Sequence, residues 1–285
     1  MLRSLIKFGT VAFVLAAIMA FSYPAPDIEI PADTVVPVDH CSIDNQAFQH
    51  GEEIVYKMYY NWNFVWLAAG EVVFKVREVG DQYHLSAHGR TYKSYEWFYK
   101  VRDNYDTYVD KETLLPNVSI RDISEGKYRL YDKITFDKKN NVAYSKRGKS
   151  KETAELTEYS IESCMHDLLS IVYFARNLNF DGLEEGNEVP VKIFIDKETW
   201  PLKVVYKGKD DNKKIRGEGR YETIKFSPEV IVGDIFSEGT EMNVWVSDDL
   251  NKIPLLIESP ISVGSVKAVL KEYRGLRHEM GAKVK

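Results

Sequence analysis

The chain has 285 residues, 44% of them hydrophobic and 28% charged, which excludes a disordered or fibrous protein. Its formal net charge at pH 7 is −5. Setting aside Arg3 and Lys7, which belong to the leader described next, 36 basic residues face 43 acidic ones, so a general nucleic-acid role, which depends on neutralising phosphate, is not expected.

Taken in order, Met1 to Ser22 carry Arg3 and Lys7, then an apolar run from Phe8 to Phe21, then the small-x-small pattern Ala20-Phe21-Ser22. This is the pattern of a secretory signal peptide cleaved near Ser22. The run of about fourteen residues is short of the roughly twenty that span a bilayer, so no integral membrane segment is expected after cleavage. The first cysteine is Cys41, well beyond the position a lipoprotein signal requires. A soluble periplasmic or secreted protein follows as the expectation. Residues 23–40 hold Pro24, Pro26, Pro31 and Pro37 and read as an extended linker.

From Glu53 onward, runs of β-branched and aromatic residues recur between turn signals. Ile54 to Tyr60, Val72 to Val76, Tyr83 to Ala87, Tyr128 to Phe136, Val189 to Ile195, Val204 to Lys207, Gly219 to Phe226, Met242 to Val246 and Val266 to Tyr273 all read as antiparallel strands. One pattern occurs three times: an apolar strand runs into Asp110, Asp196 or Asp248, and Pro116, Pro201 or Pro254 opens the return. Asp suits the start of a tight turn, and a proline at the start of a strand has no ladder bond to donate, so the pattern is hairpin punctuation rather than an acidic site. The lysines Lys207, Lys209, Lys213 and Lys214 are interrupted by Asp210 and Asp211 and read as a solvated hairpin tip.

One segment has helical spacing: Met165, Leu168, Leu169, Val172, Tyr173 and Arg176, with Ser163 as its expected cap and an end near Asn177 to Asn179. A lone amphipathic helix in a β-rich chain is expected to cover one face or end of a curved sheet. The fold class is therefore mostly β: a curved antiparallel sheet or half-open β-barrel of hairpins with one main α-helix packed against it. It is expected as a single domain over 41–278, with a tail at 279–285. Cys41 and Cys164 are the only cysteines, and an oxidising compartment favours a disulfide between them over two free thiols.

Candidate chemistry is sparse. His84 and His88 share a strand face but lie roughly 13 Å apart along it, too far for one metal. His166 and Asp167 fall in the expected first helical turn, where neighbours diverge. No G-x-S-x-G, Walker-type, H-E-x-x-H or dinucleotide motif is present, and no metal or cofactor is expected. The distinctive composition is aromatic: Tyr56, Tyr59, Tyr60, Trp62, Phe64 and Trp66, then Tyr92, Tyr95, Trp97, Phe98 and Tyr99. These rings either line an apolar pocket or fill the core. Tyr60, Trp62, Trp66, Tyr95 and Trp97 are the candidate ligand-binding residues.

The run Gly51-Glu52-Glu53-Ile54-Val55-Tyr56, with Tyr59-Tyr60-Asn61-Trp62 and Ala69-Gly70-Glu71-Val72, resembles the opening of exported bacterial proteins of domain-of-unknown-function family 3108, in particular members from Bacteroides-like bacteria. Tyr105-Asp106-Thr107-Tyr108 and Pro254-Leu255-Leu256-Ile257-Glu258 resemble it too, so the likeness covers roughly Cys41 to Leu276. The family carries no assigned activity and implies no catalytic residues. At the level of architecture the hairpins and helix are also similar to periplasmic lipoprotein carriers, although fold alone does not fix function. The expectation is a non-enzymatic protein that binds a lipid or acylated envelope partner. Two alternatives stand beside it: an assembly factor contacting envelope proteins or glycans, and a motif-free glycan hydrolase.

Overall fold

The computed structural model describes residues 34–62, 65–231 and 236–284, and of Trp62 the backbone alone. The expected signal peptide and most of the proline-rich linker lie outside the described residues. Fourteen strands form one antiparallel sheet. They are β1 (Glu53–Trp62), β2 (Val65–Val79), β3 (Gln82–Thr91), β4 (Val101–Asp110), β5 (Pro116–Glu125), β6 (Tyr128–Asp137), β7 (Val142–Gly148) and β8 (Glu155–Ser160), then, after helix α1 (Leu168–Ala175), β9 (Glu188–Ile195), β10 (Glu198–Ile215), β11 (Gly219–Pro228), β12 (Asn243–Ser247), β13 (Pro254–Pro260) and β14 (Ser265–Arg274).

Neighbours in sequence are neighbours in the sheet, and β1 pairs with β14, so the strand order runs from β8 down to β1 and then from β14 down to β9. The two edges, β8 and β9, are consecutive strands that do not pair; the chain between them carries α1. The helix contacts β3 and β4 in mid-sheet and also β9 at one edge. A helix can touch strands that far apart in the order only if the sheet curls round it. The result is a barrel left open along one seam, with the helix inside the curl.

All three Asp-to-Pro signals fall at hairpins, β4–β5, β9–β10 and β12–β13; Pro116 and Pro254 open their strands as expected, whereas Pro201 is the fourth residue of β10, already paired with Lys192. At the tightest, Ile195 pairs with Glu198 across Asp196 and Lys197, both at positive φ, as a two-residue hairpin demands. The long β10–β11 hairpin is not simply solvated. Lys209 pairs with Asp248 at 2.7 Å, and Lys213 Nζ lies 3.5 Å over the Trp245 ring. Residues near the C-terminus lie along β11: Tyr221 bridges Lys283, and Ala282 is buried.

The helix begins later than its spacing predicts. Its N-cap is Asp167, not Ser163, because the chain before it is extended and His166 bridges Ile193 on β9. Asp167 accepts the Ser170 N–H at 2.9 Å and also hydrogen bonds from Thr107 on β4 and Ser119 on β5, so one buried carboxylate both caps the helix and docks it on the sheet. His166 and Asp167, expected to diverge within a helical turn, both bond Ser170 instead.

Outside the helix runs the segment 35–48. Val36 donates to Glu188 on β9, and Gln46 and Ala47 donate to the Asn177 side chain just past the helix. Cys41 is joined to Cys164, with Cα atoms 4.7 Å apart. Arg176 at the helix end, fully enclosed, forks onto Glu52 at 2.6 and 2.8 Å. The helix is thus strapped by the 35–48 segment, capped at its start against β4 and β5, and ion-paired at its end to Glu52.

Candidate functional site

With α1 held in this way, one face of it meets the inner side of the β9–β13 half of the sheet without filling the space. A cavity of about 270 Å³ remains. The helix contributes Ile171, Val172 and Ala175, each only partly buried. The opposite wall comes from Val189, Val191, Ile193, Val204, Phe226, Val244 and Val246, and the floor from Ile54, Tyr56 and Phe74 of β1 and β2. Alternation explains the composition: the second-residue period of each strand places its β-branched residues on the inner face. Tyr56 reaches across to donate from its hydroxyl to the Pro254 carbonyl at 2.8 Å, which leaves its ring edge facing an apolar space. Charged groups lining the cavity are confined to Arg176, Lys203, Glu229 and Lys252. A chamber of this size and lining lies just below the usual range for small-molecule sites and suits an apolar ligand.

The other half of the interior carries a buried polar patch among apolar residues such as Leu85, Val101 and Ile123. Asp103, Tyr105 and Thr107 on β4, Ser119 and Arg121 on β5, Asp132 on β6 and Ser145 on β7 are all buried. Arg121 bonds Asp132 at 2.7 Å and Asp196 at 2.8 Å; Arg147 bonds the same two carboxylates at 2.7 Å each. Asp196 sits just past β9, so this four-membered network joins β5, β6 and β7 to the far edge and closes one end of the seam. Apolar contacts close it further along, where Phe194 of β9 packs on Phe136 and Tyr159. Burial alone would raise the Asp196 carboxyl, but Arg121 and Arg147 outweigh it and hold it below its ordinary value. Asp103 has no such cation: burial and the neighbouring Glu125 push it up to about 9.

The five aromatic candidates do not come together. Tyr60 is buried and donates to the Val263 carbonyl at 3.0 Å. Trp66 lies on the opposite face of the sheet from Tyr56, near Tyr59, with the Lys267 ammonium 4.4 Å above its ring. Tyr95 is buried in the β3–β4 connection, stacked edge-on against Phe98. Trp97 in the same connection is 85% exposed. The Trp62 side chain lies outside the described residues. None of the other four lines the cavity; among the described residues of the two aromatic stretches only Tyr56 does. The cavity's actual lining, ordinary Val, Ile and Leu, has no local signal that separates it from core.

Two further pairings escaped sequence reasoning. His84 and His88 both lean on Asp106 of the adjacent strand, with Nε2 to Oδ1 distances of 2.7 and 3.8 Å. The 13 Å strand spacing holds for their backbones, while Asp106, opposite Ser86, sits between them. Asp196 likewise does more than start a turn. No cluster of three or more metal-ligating side chains suited to an ion occurs among the described residues.

An open antiparallel sheet curled round one helix, with an apolar chamber between them, defines a β-barrel-like class of protein. Within that class the chain belongs to the family described as "Protein of unknown function (DUF3108)", whose model matches residues 55–271. A solved structure of similar fold is a beta-barrel-like protein of domain of unknown function DUF1849 from Brucella abortus: 11% identity, 80% of this chain and 99% of that one covered, TM-score 0.52. A protein of Bacteroides fragilis with a YmcC-like fold, presumed exported, aligns over 82% of this chain and 99% of its own at 12% identity, with a TM-score of only 0.29. No protein of curated function matches the chain. No helix among the described residues is long and apolar enough to cross a membrane.

Proposed function

We propose that the protein is exported to the periplasm, with its leader cleaved near Ser22, and there binds the apolar part of a lipid or acylated envelope molecule. The observation that carries this reading is the 270 Å³ cavity, whose walls are aliphatic on both the helix and the sheet. An apolar chamber of that size gains by transferring hydrocarbon out of water, at roughly 0.8 kcal/mol per methylene.

The test is native mass spectrometry of protein purified gently from its own compartment. A lipid-sized added mass that disappears on denaturation is the expected result. Val172→Trp, which fills the cavity from the helix side, should abolish the adduct while the far-ultraviolet circular dichroism stays unchanged. A bare mass for the wild-type protein, together with no uptake from envelope lipid extracts, would sink the reading. One observation favours a second role: Trp97, exposed on a turn beside Phe98, is suited to contact with an envelope protein or glycan. Crosslinking in cells at Trp97 that captures neither class would remove it.

A further inference from the structure

The four charged residues lining the cavity are not equivalent. Arg176 is satisfied by the Glu52 carboxylate and the Asn251 carbonyl. Lys203 is paired with Glu188 at 2.7 Å, and Glu229 accepts the Lys203 backbone N–H at 3.2 Å. Lys252 differs: it is half-buried, and no carboxylate among the described residues lies within ion-pair distance of its ammonium. Its backbone is pinned in the left-handed region at φ 44°, where its N–H and that of Asn251 bond the Asp249 carboxylate. The β12–β13 turn therefore fixes the backbone of this lysine at the cavity wall.

An ammonium with no carboxylate partner can take an incoming anion as a charge-assisted hydrogen bond without breaking an existing ion pair. We propose that the ligand is an anionic amphiphile, with its hydrocarbon tail in the cavity and its carboxylate or phosphate group on Lys252. This rests on the cavity reading above and adds the charge of the headgroup. The pairing would be a charge-assisted hydrogen bond at the edge of a low-dielectric space, stronger than the same contact in open water.

The experiment compares two probes of one chain length, sodium decanoate and 1-decanol, titrated calorimetrically into the delipidated full-length protein at pH 7.5. The expected result is decanoate binding at least tenfold tighter than decanol. Lys252→Gln should abolish that preference, and Lys252→Arg should keep it. Equal binding of the two probes to the wild type, or an undiminished preference in Lys252→Gln, would overturn the headgroup assignment while leaving the cavity reading intact. Binding of neither probe would overturn both.

Discussion

Replacing Asp196 by asparagine asks whether charge closes the seam. In the native network two guanidiniums meet two carboxylates, and the group is neutral. Asparagine would leave Arg121 and Arg147 both leaning on Asp132, with one positive charge in excess where Arg121 and Asp132 expose only 4% and 1% of their side chains. Removing one partner from a buried pair costs about 3–5 kcal/mol. The lower end, about 3 kcal/mol, applies here because Arg147 and Asp196 keep 21% and 18% of their exposure and remain partly hydrated. Urea unfolding followed by circular dichroism reads this as a lower midpoint at constant slope. The pH dependence supplies a second check. The folded-state value of Asp196 lies below its ordinary one, so its contribution is present above roughly pH 4 and lost as pH falls through the depressed value. The gap between wild type and Asp196→Asn should therefore narrow in acid. A difference under about 0.5 kcal/mol at pH 7, the size of an ordinary surface substitution, would refute the closing role. So would a gap that does not shrink as the pH is lowered.

Asp103 should behave in the opposite sense. Its folded-state value, about 9, is raised, so between roughly pH 4 and pH 9 folding must keep protonated a group that the unfolded chain ionises, and stability is lost as pH rises. Asp103→Asn should be more stable than wild type at pH 8 by at least about 1.4 kcal/mol, the equivalent of one pKa unit, with the difference vanishing near pH 4. A variant less stable at pH 8 would show that the carboxylate is ionised there. Replacing both Cys41 and Cys164 by serine opens a 123-residue separation, for which chain entropy sets a ceiling of about 5 kcal/mol and typical losses are about 2–4 kcal/mol. Thermal melts that coincide with and without the disulfide would contradict its role in strapping the N-terminal segment over α1.

Strand identity was legible locally, because inner-facing residues such as Ile54, Tyr56, Met58 and Tyr60 alternate with the period that a half-buried strand imposes. The three Asp-to-Pro turns were legible for the same kind of reason: tight turns and strand openings select those residues by their own backbone chemistry. Local pattern also marked a single helix and a pair of cysteines, though it started the helix too early, since the extended bridge of His166 to β9 depends on a strand 27 residues further on. Only the tertiary structure decided that β8 and β9 stay unpaired, that α1 lies inside the curl, and that plain aliphatic residues line a chamber while the conspicuous aromatics mostly do not. It alone joined Asp196 to Arg121 and Arg147, and Asp106 to His84 and His88. The physical reason is that a strand's alternation says which residues share a face, whereas curvature and register between strands distant in sequence decide what that face meets.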